Sequence, residues 1–208
     1  MYDKKCQGPF RASTSIALAS GSPRRRQLLT SLGVSFVVCS VDVQELDGDS
    51  GLSPDKLTLE NAMLKLNEAR KVCNTNVLIC ADTCVYCDRK IFGKPLNFDD
   101  AFNMLSFLSG KWHEVFTSFV IYKEEQALLR ERTICSKVYL DVINPKVLHA
   151  YCSSKEPYDK AGGYAIQGVG AFMVQKIEGS YTNVVGLPVT EVVKELLDIG
   201  AIEPCASV

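Results

Sequence analysis

Residues 15–33 read SIALASGSPRRRQLLTSLG, and this stretch decides the fold class. The apolar run at residues 15–19 predicts a short strand, and a turn of small residues follows it. Ser22 is a good helix N-cap and Pro23 suits the first helical position, so the spacing predicts a helix over residues 23–32 that stops at Gly33. A buried strand passing straight into a capped helix is the opening of an α/β fold.

Residues 35–41 (SFVVCSV) read as a second strand and residues 42–55 (DVQELDGDSGLSPD) as an acidic loop. Residues 58–72 carry Leu59, Met63, Leu66 and Ala69 at helical spacing, which places Lys65 on the helix's polar side. Strands are expected at 77–81, 112–122 and 132–142, with a hairpin over 84–92 turning at Asp88-Arg89. Further helices are expected at 99–108, 145–153 and 189–199, and the glycine-rich region 160–179 has more strand pattern. Hairpins cannot all be parallel, so the expectation is an α/β chain with a mixed, strongly twisted β-sheet flanked by helices.

A chain of 208 residues is long enough to bury roughly 70% of its unfolded surface. With 47% hydrophobic and 23% charged residues and no linker-like segment, one compact domain is the simplest organisation. Lys and Arg total 23 against 24 Asp and Glu, so no global basic field points to nucleic acid or a membrane surface. No apolar run approaches the roughly 18 residues of a membrane span, and the N-terminus MYDKKCQGPFRASTS lacks the apolar core of a secretory signal. An intracellular, cytoplasmic location is expected.

Nine cysteines is an odd count, and several lie in apolar runs, which fits unpaired thiols in a reducing compartment. Cys84 and Cys87 have C-x-x-C spacing, and Cys80 with His113 would complete four zinc ligands. No second C-x-x-C exists, and the segment VLICADTCVYC reads as strand, so core positions are the preferred reading. His113, beside Trp112, is read as a packing or hydrogen-bonding residue.

The turn Ala19-Ser20-Gly21-Ser22-Pro23-Arg24-Arg25-Arg26 combines small residues, free N–H groups at a helix start and three arginines, which is a recipe for an anion site. Basic residues there oppose the helix dipole, a local conflict that functional sites tolerate. No G-x-x-x-x-G-K-[ST] or G-x-G-x-x-G occurs, so phosphate must be held in another way. Asp82 ends the apolar strand, placed for metal or water; Lys65 and Lys94 carry ammonium groups that can face the same carboxylates. Glu45 lies in the acidic loop, and Lys160 in a glycine-rich loop from which it can reach phosphate.

The segments LASGSPRRRQLL, ADT, GKP, LSGKWHEV, YDKAGGYAIQG and IEGSYTNVVGLP follow one another in this order. Together they resemble the Maf (septum formation inhibitor-like) family of nucleoside triphosphate pyrophosphatases, over residues from about 16 to about 197. The resemblance implies a Maf/ITPase-like two-lobed single domain over 15–202, between an extension at 1–14 and a tail at 203–208. It also implies cleavage of a nucleoside triphosphate between the α and β phosphates, with magnesium as the cofactor and manganese as the alternative, and a homodimer.

By position, Asp82 matches the family's proton acceptor, Glu45 a metal-site carboxylate, and Lys65 and Lys94 its phosphate-binding lysines. Arg24, Thr83 and Gln167 match the positions associated with base selection, while Ser20 and Arg25 belong to the phosphate loop. The uncharged Thr83 resembles the branch acting on dTTP and UTP; the branch preferring 7-methyl-GTP carries Gln there. A 7-methyl-GTP or non-standard nucleotide pyrophosphatase and a non-catalytic regulator of division are the rival functions. The chain departs from the pattern at Cys80, Cys84, Cys87 and Ala165, and Glu45 sits in a longer loop than usual. Whether Asp82 deprotonates water itself or holds the metal stays open at this level.

Overall fold

The computed structural model describes residues 8–205. In chain order the elements are β1 (Phe10–Ala12), β2 (Ile16–Leu18), α1 (Pro23–Thr30), β3 (Val37–Val38), α2 (Pro54–Val72), β4 (Val77–Cys87), β5 (Lys90–Phe92) and α3 (Phe98–Leu108). After these come β6 (Trp112–Lys123), β7 (Leu128–Leu140), α4 (Pro145–Cys152), β8 (Val174–Glu178), α5 (Tyr181–Val185), α6 (Val189–Asp198) and β9 (Ile202–Pro204). Seven strands form one sheet in the order β3-β2-β4-β6-β7-β8, with β5 hydrogen-bonded to β4. β3, β2 and β4 are parallel and the remaining pairings antiparallel, so the sheet is mixed as the hairpins require.

The pleat sends alternate residues of β4 and β6 to opposite faces. On one face Ile79, Ala81, Phe119 and Ile121 pack with Leu28 and Leu29 of α1 and with Val192 and Leu196 of α6. On the other, Leu78, Cys80, Val120 and Tyr122 meet Ala62, Leu66 and Ala69 of α2. A further cluster forms at the far end, where Val85, Val115 and Val138 pack against α3 and α4 through Leu105, Leu108 and Leu148.

One edge of β4 positions the site. β2 pairs with β4 only over Val77–Ile79, and β5 covers only Val85–Cys87. Between these two short partners, residues 80–84 have a strand neighbour on the β6 side alone. The sheet therefore has a gap, and Asp82 and Thr83 stand in it.

Several expectations need correction. The strand expected at 35–41 contracts to Val37–Val38, both exposed at the sheet edge. α2 begins at Pro54, not residue 58, using the same Ser-Pro start as α1, with Ser53 as N-cap. Its buried face is Leu57, Thr58, Asn61, Ala62, Lys65, Leu66 and Ala69, so Lys65 belongs to the packed stripe, not the polar side. The strand expected from 132 starts at Leu128 because the charged link turns tightly at Glu124–Gln126, with Ala127 left-handed at φ 47°. The glycine-rich region is mostly short 3-10 turns, with strand only at Val174–Glu178. Phe10–Ala12, in the stretch expected to be an extension, pairs antiparallel with Ile202–Pro204 and closes a second, two-stranded sheet.

Cys39 and Cys73 are joined as a disulfide, which corrects the expectation of unpaired cysteines. The end of β3 brings Cys39 beside the C-cap of α2, with the two Cα atoms 6.3 Å apart, within reach of the bond. Cys80, Cys84 and Cys87 are free and buried. No helix among the described residues is long and apolar enough to cross a membrane.

Candidate active site

The gap in the sheet opens into a cavity of about 700 Å³, the size range of small-molecule sites. Its walls come from the β2–α1 turn, the acidic loop, α2, the middle of β4, the segment after β5, and residues 158–166. Ser20, Arg24, Arg25, Glu45, Lys65, Asp82, Thr83, Lys94 and Lys160 all line it. Gln167 does not; it lies just past the wall formed by Tyr164, Ala165 and Ile166, with its Oε1 buried and unpartnered.

At the centre, Lys65 Nζ is 2.6 Å from Asp82 Oδ1 and 2.8 Å from Glu45 Oε1. Lys65 and Asp82 are each only 8% exposed, so both charges depend on this pairing. The i, i+4 row Leu57, Asn61, Lys65 on α2 carries the arrangement. Asn61 donates from Nδ2 to Asp82 Oδ2 at 3.1 Å and to the Leu46 carbonyl at 2.9 Å, while its Oδ1 accepts from the Leu46 N–H at 2.8 Å. One amide thus orients the carboxylate and holds the acidic loop that carries Glu45. Burial alone would push the Glu45 carboxyl up, but the charge and hydrogen bond of Lys65, with Lys94 and Arg25 behind it, hold it below its usual value.

The three arginines of α1 have separate fates. Arg24 bonds Asp159 at 2.8 Å and its carbonyl at 3.0 Å, joining the helix start to the 158–166 segment. Arg25 enters the gap beside β4: it donates to the Ala81 carbonyl at 2.8 Å, the Gly186 carbonyl at 2.7 Å and Thr83 Oγ1 at 2.9 Å. Its guanidinium occupies the place of the missing strand and satisfies a carbonyl that the sheet leaves open. Burial lowers its pKa, against the opposing charges of Asp82 and Glu45. Arg26 is exposed.

Ser20 is buried and accepts from the Ser22 N–H, while Ser22 caps the helix by accepting from the Arg25 N–H. A Cβ added at Gly21 would meet only Ser40 Oγ, 4.0 Å away, so the turn's backbone faces open cavity. Lys94 stands exposed beside this opening. Lys160, expected on a loop free to reach phosphate, is buried, its ammonium held by Asp159 and the Glu156 carbonyl. Burial favours a raised Asp159 pKa, but Lys160 and Arg24 together hold it below the usual range.

Sequence motifs alone do not single out Asn61 or Asp159. The Leu57-Asn61-Lys65 spacing carried a signal for the first; nothing local marks the second as a partner of Arg24. His113 Nε2 lies 2.7 Å from Tyr164 Oη, and burial lowers the imidazole pKa to about 4. It is a neutral packing residue. Among the described residues no three His, Cys, Asp or Glu side chains cluster to hold a metal. Burial pushes the thiols of Cys80 and Cys84 up to about 12, so the cysteines nearest the site are unreactive.

The Maf-like protein family model matches residues 15–199. A dTTP/UTP pyrophosphatase of Geotalea uraniireducens is 44% identical over 194 residues, covering 93% of this chain and 100% of the relative. Another, of Citrifermentans bemidjiense, is 45% identical over 190 residues, covering 91% of this chain and 98% of the relative. One of Thermosipho africanus is 41% identical, covering 90% and 95%. The chain is therefore a member of the Maf family.

Proposed function

We propose that the chain hydrolyses nucleoside triphosphates, dTTP and UTP foremost, between the α and β phosphates, releasing monophosphate and pyrophosphate. The observation that carries this reading is the Asp82–Lys65–Glu45 cluster lining the cavity, with Asp82 and Lys65 buried and Glu45 reaching Lys65 from the exposed acidic loop. Relatives that cover nearly the whole chain are named for this activity.

A triphosphate brings about four negative charges that repel an attacking nucleophile. Lys94 on the rim and Lys65 within neutralise part of that charge, and the Ser20–Ser22 turn offers N–H groups of a helix start. Asp82 takes the proton of the attacking water. Asn61 and Lys65 keep its carboxylate aimed while the nucleotide is absent. Arg24 and Thr83 border the nucleotide from the other side, Arg24 with a carboxylate partner that stops it from swinging freely. Lys160, through its hold on Asp159, sets the position of that partner.

A divalent cation suits the donors present. Glu45 and Asp82 give two carboxylates and leave coordination places for phosphate oxygens and water, as magnesium sites do, with manganese the alternative. When bound, the ion supplies positive charge against the phosphates and the leaving pyrophosphate. Glu45 and Asp82, the carboxylates that Lys65 pairs with, would be the residues to hold it. We take the enzyme to act in the cytoplasm as a homodimer.

The test is a hydrolysis panel of canonical and modified nucleoside triphosphates with magnesium, separating monophosphate and pyrophosphate from diphosphate and phosphate. Monophosphate from dTTP and UTP is expected. Thr83→Gln is expected to move selectivity away from pyrimidines. Nucleotide binding without any cleavage would overturn the reading in favour of a binding-only regulator.

A further inference from the structure

Thr83 and Thr117 are directly opposed in the register of β4 and β6, on the sheet face turned towards α1 and α5. Their hydroxyls are 2.9 Å apart. Arg25 donates to Thr83 Oγ1 at 2.9 Å, and Thr117 Oγ1 donates to the Asn183 carbonyl at 3.0 Å. Thr117 and Asn183 are fully buried. The Asn183 side chain is itself anchored, donating to the Val115 carbonyl and to Ser136 Oγ, each at 3.0 Å.

A hydroxyl has one proton and two lone pairs. With the Thr117 proton committed to Asn183, the contact between the two threonines can only be made by the Thr83 proton. All donors are then used, in the order Arg25 to Thr83 to Thr117 to Asn183. The opposite orientation leaves the Thr83 proton without a protein acceptor and makes one internal bond fewer, in a buried network where each bond strengthens the next. Gly186 keeps the relay compact: its φ is +116°, and a Cβ there would stand 3.4 Å from Thr83 Oγ1 and 3.5 Å from Arg25 Nε.

We infer that Thr117, with Arg25 and Asn183, is a positioning residue for base selection, fixing Thr83 so that its hydroxyl turns only an acceptor lone pair to the cavity. This rests on the reading above that Thr83 meets the base. An acceptor at that point suits the ring N3–H of thymine and uracil and opposes cytosine, whose N3 is itself an acceptor. The selectivity therefore resides in the direction of a proton, which is set one residue deeper than the cavity wall.

The experiment compares kcat/KM for UTP and CTP in the parent, Thr117→Val, Thr117→Ser and Thr83→Val, with thermal unfolding recorded for each. Thr117→Val keeps the shape but removes the acceptor, freeing the Thr83 proton to point at the base. The UTP-to-CTP ratio is expected to fall by about tenfold or more in that variant and to stay at the parent value in Thr117→Ser. A parent-like ratio in folded, active Thr117→Val, while Thr83→Val changes it, would overturn the relay alone. If neither valine variant moves the ratio, Thr83 does not meet the base and the relay falls with that reading. Should Thr117→Val fail to fold, Thr117→Ala, which also removes the acceptor of the Thr83 proton, is read in its place: a lowered ratio supports the relay and a parent-like one overturns it.

Discussion

Replacing Asp82 by Asn separates two things the carboxylate does. As a proton acceptor it is lost, and general-base removal commonly lowers turnover by about 10²-fold or more. As a structural acceptor it is only half lost. Oδ1 receives Lys65 Nζ at 2.6 Å and Oδ2 receives Asn61 Nδ2 at 3.1 Å. An asparagine has one oxygen to offer; if it stays on Lys65, its NH₂ meets the NH₂ of Asn61. Asn61 cannot flip to help, because its own oxygen and nitrogen are both engaged by the backbone of Leu46. One buried donor is left unpaired, which costs about 1–3 kcal/mol.

The expected Asp82→Asn protein therefore binds nucleotide, turns over dTTP at least about 10²-fold more slowly, and unfolds in urea with about 1–3 kcal/mol less stability. Pyrophosphate release under saturating nucleotide gives the first number and linear extrapolation the second. Parent-like turnover removes Asp82 from the mechanism. Unchanged stability refutes the argument that Leu46 locks Asn61, and with it the coupling between the acidic loop and the catalytic carboxylate.

Other perturbations follow from the same geometry. Arg25→Lys is expected to cost about 2–3 kcal/mol, measured by urea unfolding, because one ammonium cannot span the Ala81 and Gly186 carbonyls and Thr83 as a planar guanidinium does. His113 has its pKa lowered by burial to about 4, against 6.5 ordinarily, so below pH 6.5 the unfolded chain binds a proton that the native state refuses. Stability is then lost as pH falls through that window, by about 3 kcal/mol in all, and His113→Asn is expected to show a shallower decline than the parent. Cys39→Ser opens a cross-link over 34 residues of sequence, which by loop-closure entropy costs about 3–4 kcal/mol under non-reducing conditions. Equal melting of parent and variant would show that the bond does not constrain the unfolded chain.

Much of the fold was legible because its signals are local. Ser22-Pro23 starts α1, Asp88-Arg89 makes the hairpin turn with φ of 47° and 64°, and the alternation of β6 places its residues on two faces. The misses arose where tertiary context overrides pattern. Ser53-Pro54 has the same start signal as Ser22-Pro23, but the acidic residues before it read as loop. Lys65 looked like a residue of the polar face because its charge is paired with Asp82 and Glu45, which are 17 and 20 positions away in the chain. Pairing at that separation has no sequence period to reveal it. Nor does the partnership of Arg24 with Asp159, which depends on a loop returning to the start of α1.

The site itself follows from how short β2 and β5 are. Each has three residues, whereas β4 has eleven, so two short partners leave the middle of a long strand uncovered on one edge. A strand edge within a fold has backbone groups that need partners. Here Arg25 donates one hydrogen bond to the Ala81 carbonyl, and Lys65 stands 3.4 Å from the same carbonyl. The cations that repair the sheet are thus brought beside Asp82 by a backbone requirement, before any ligand is considered. Directly after that carbonyl the pleat sends Asp82 to the α2 face and Thr83 to the α1 face. Consecutive residues of one strand so reach opposite sides of the sheet and still border one cavity, because the gap joins the two sides. That is why a base for hydrolysis and a group for reading the nucleotide can be neighbours in sequence: filling the gap with one more strand would separate them.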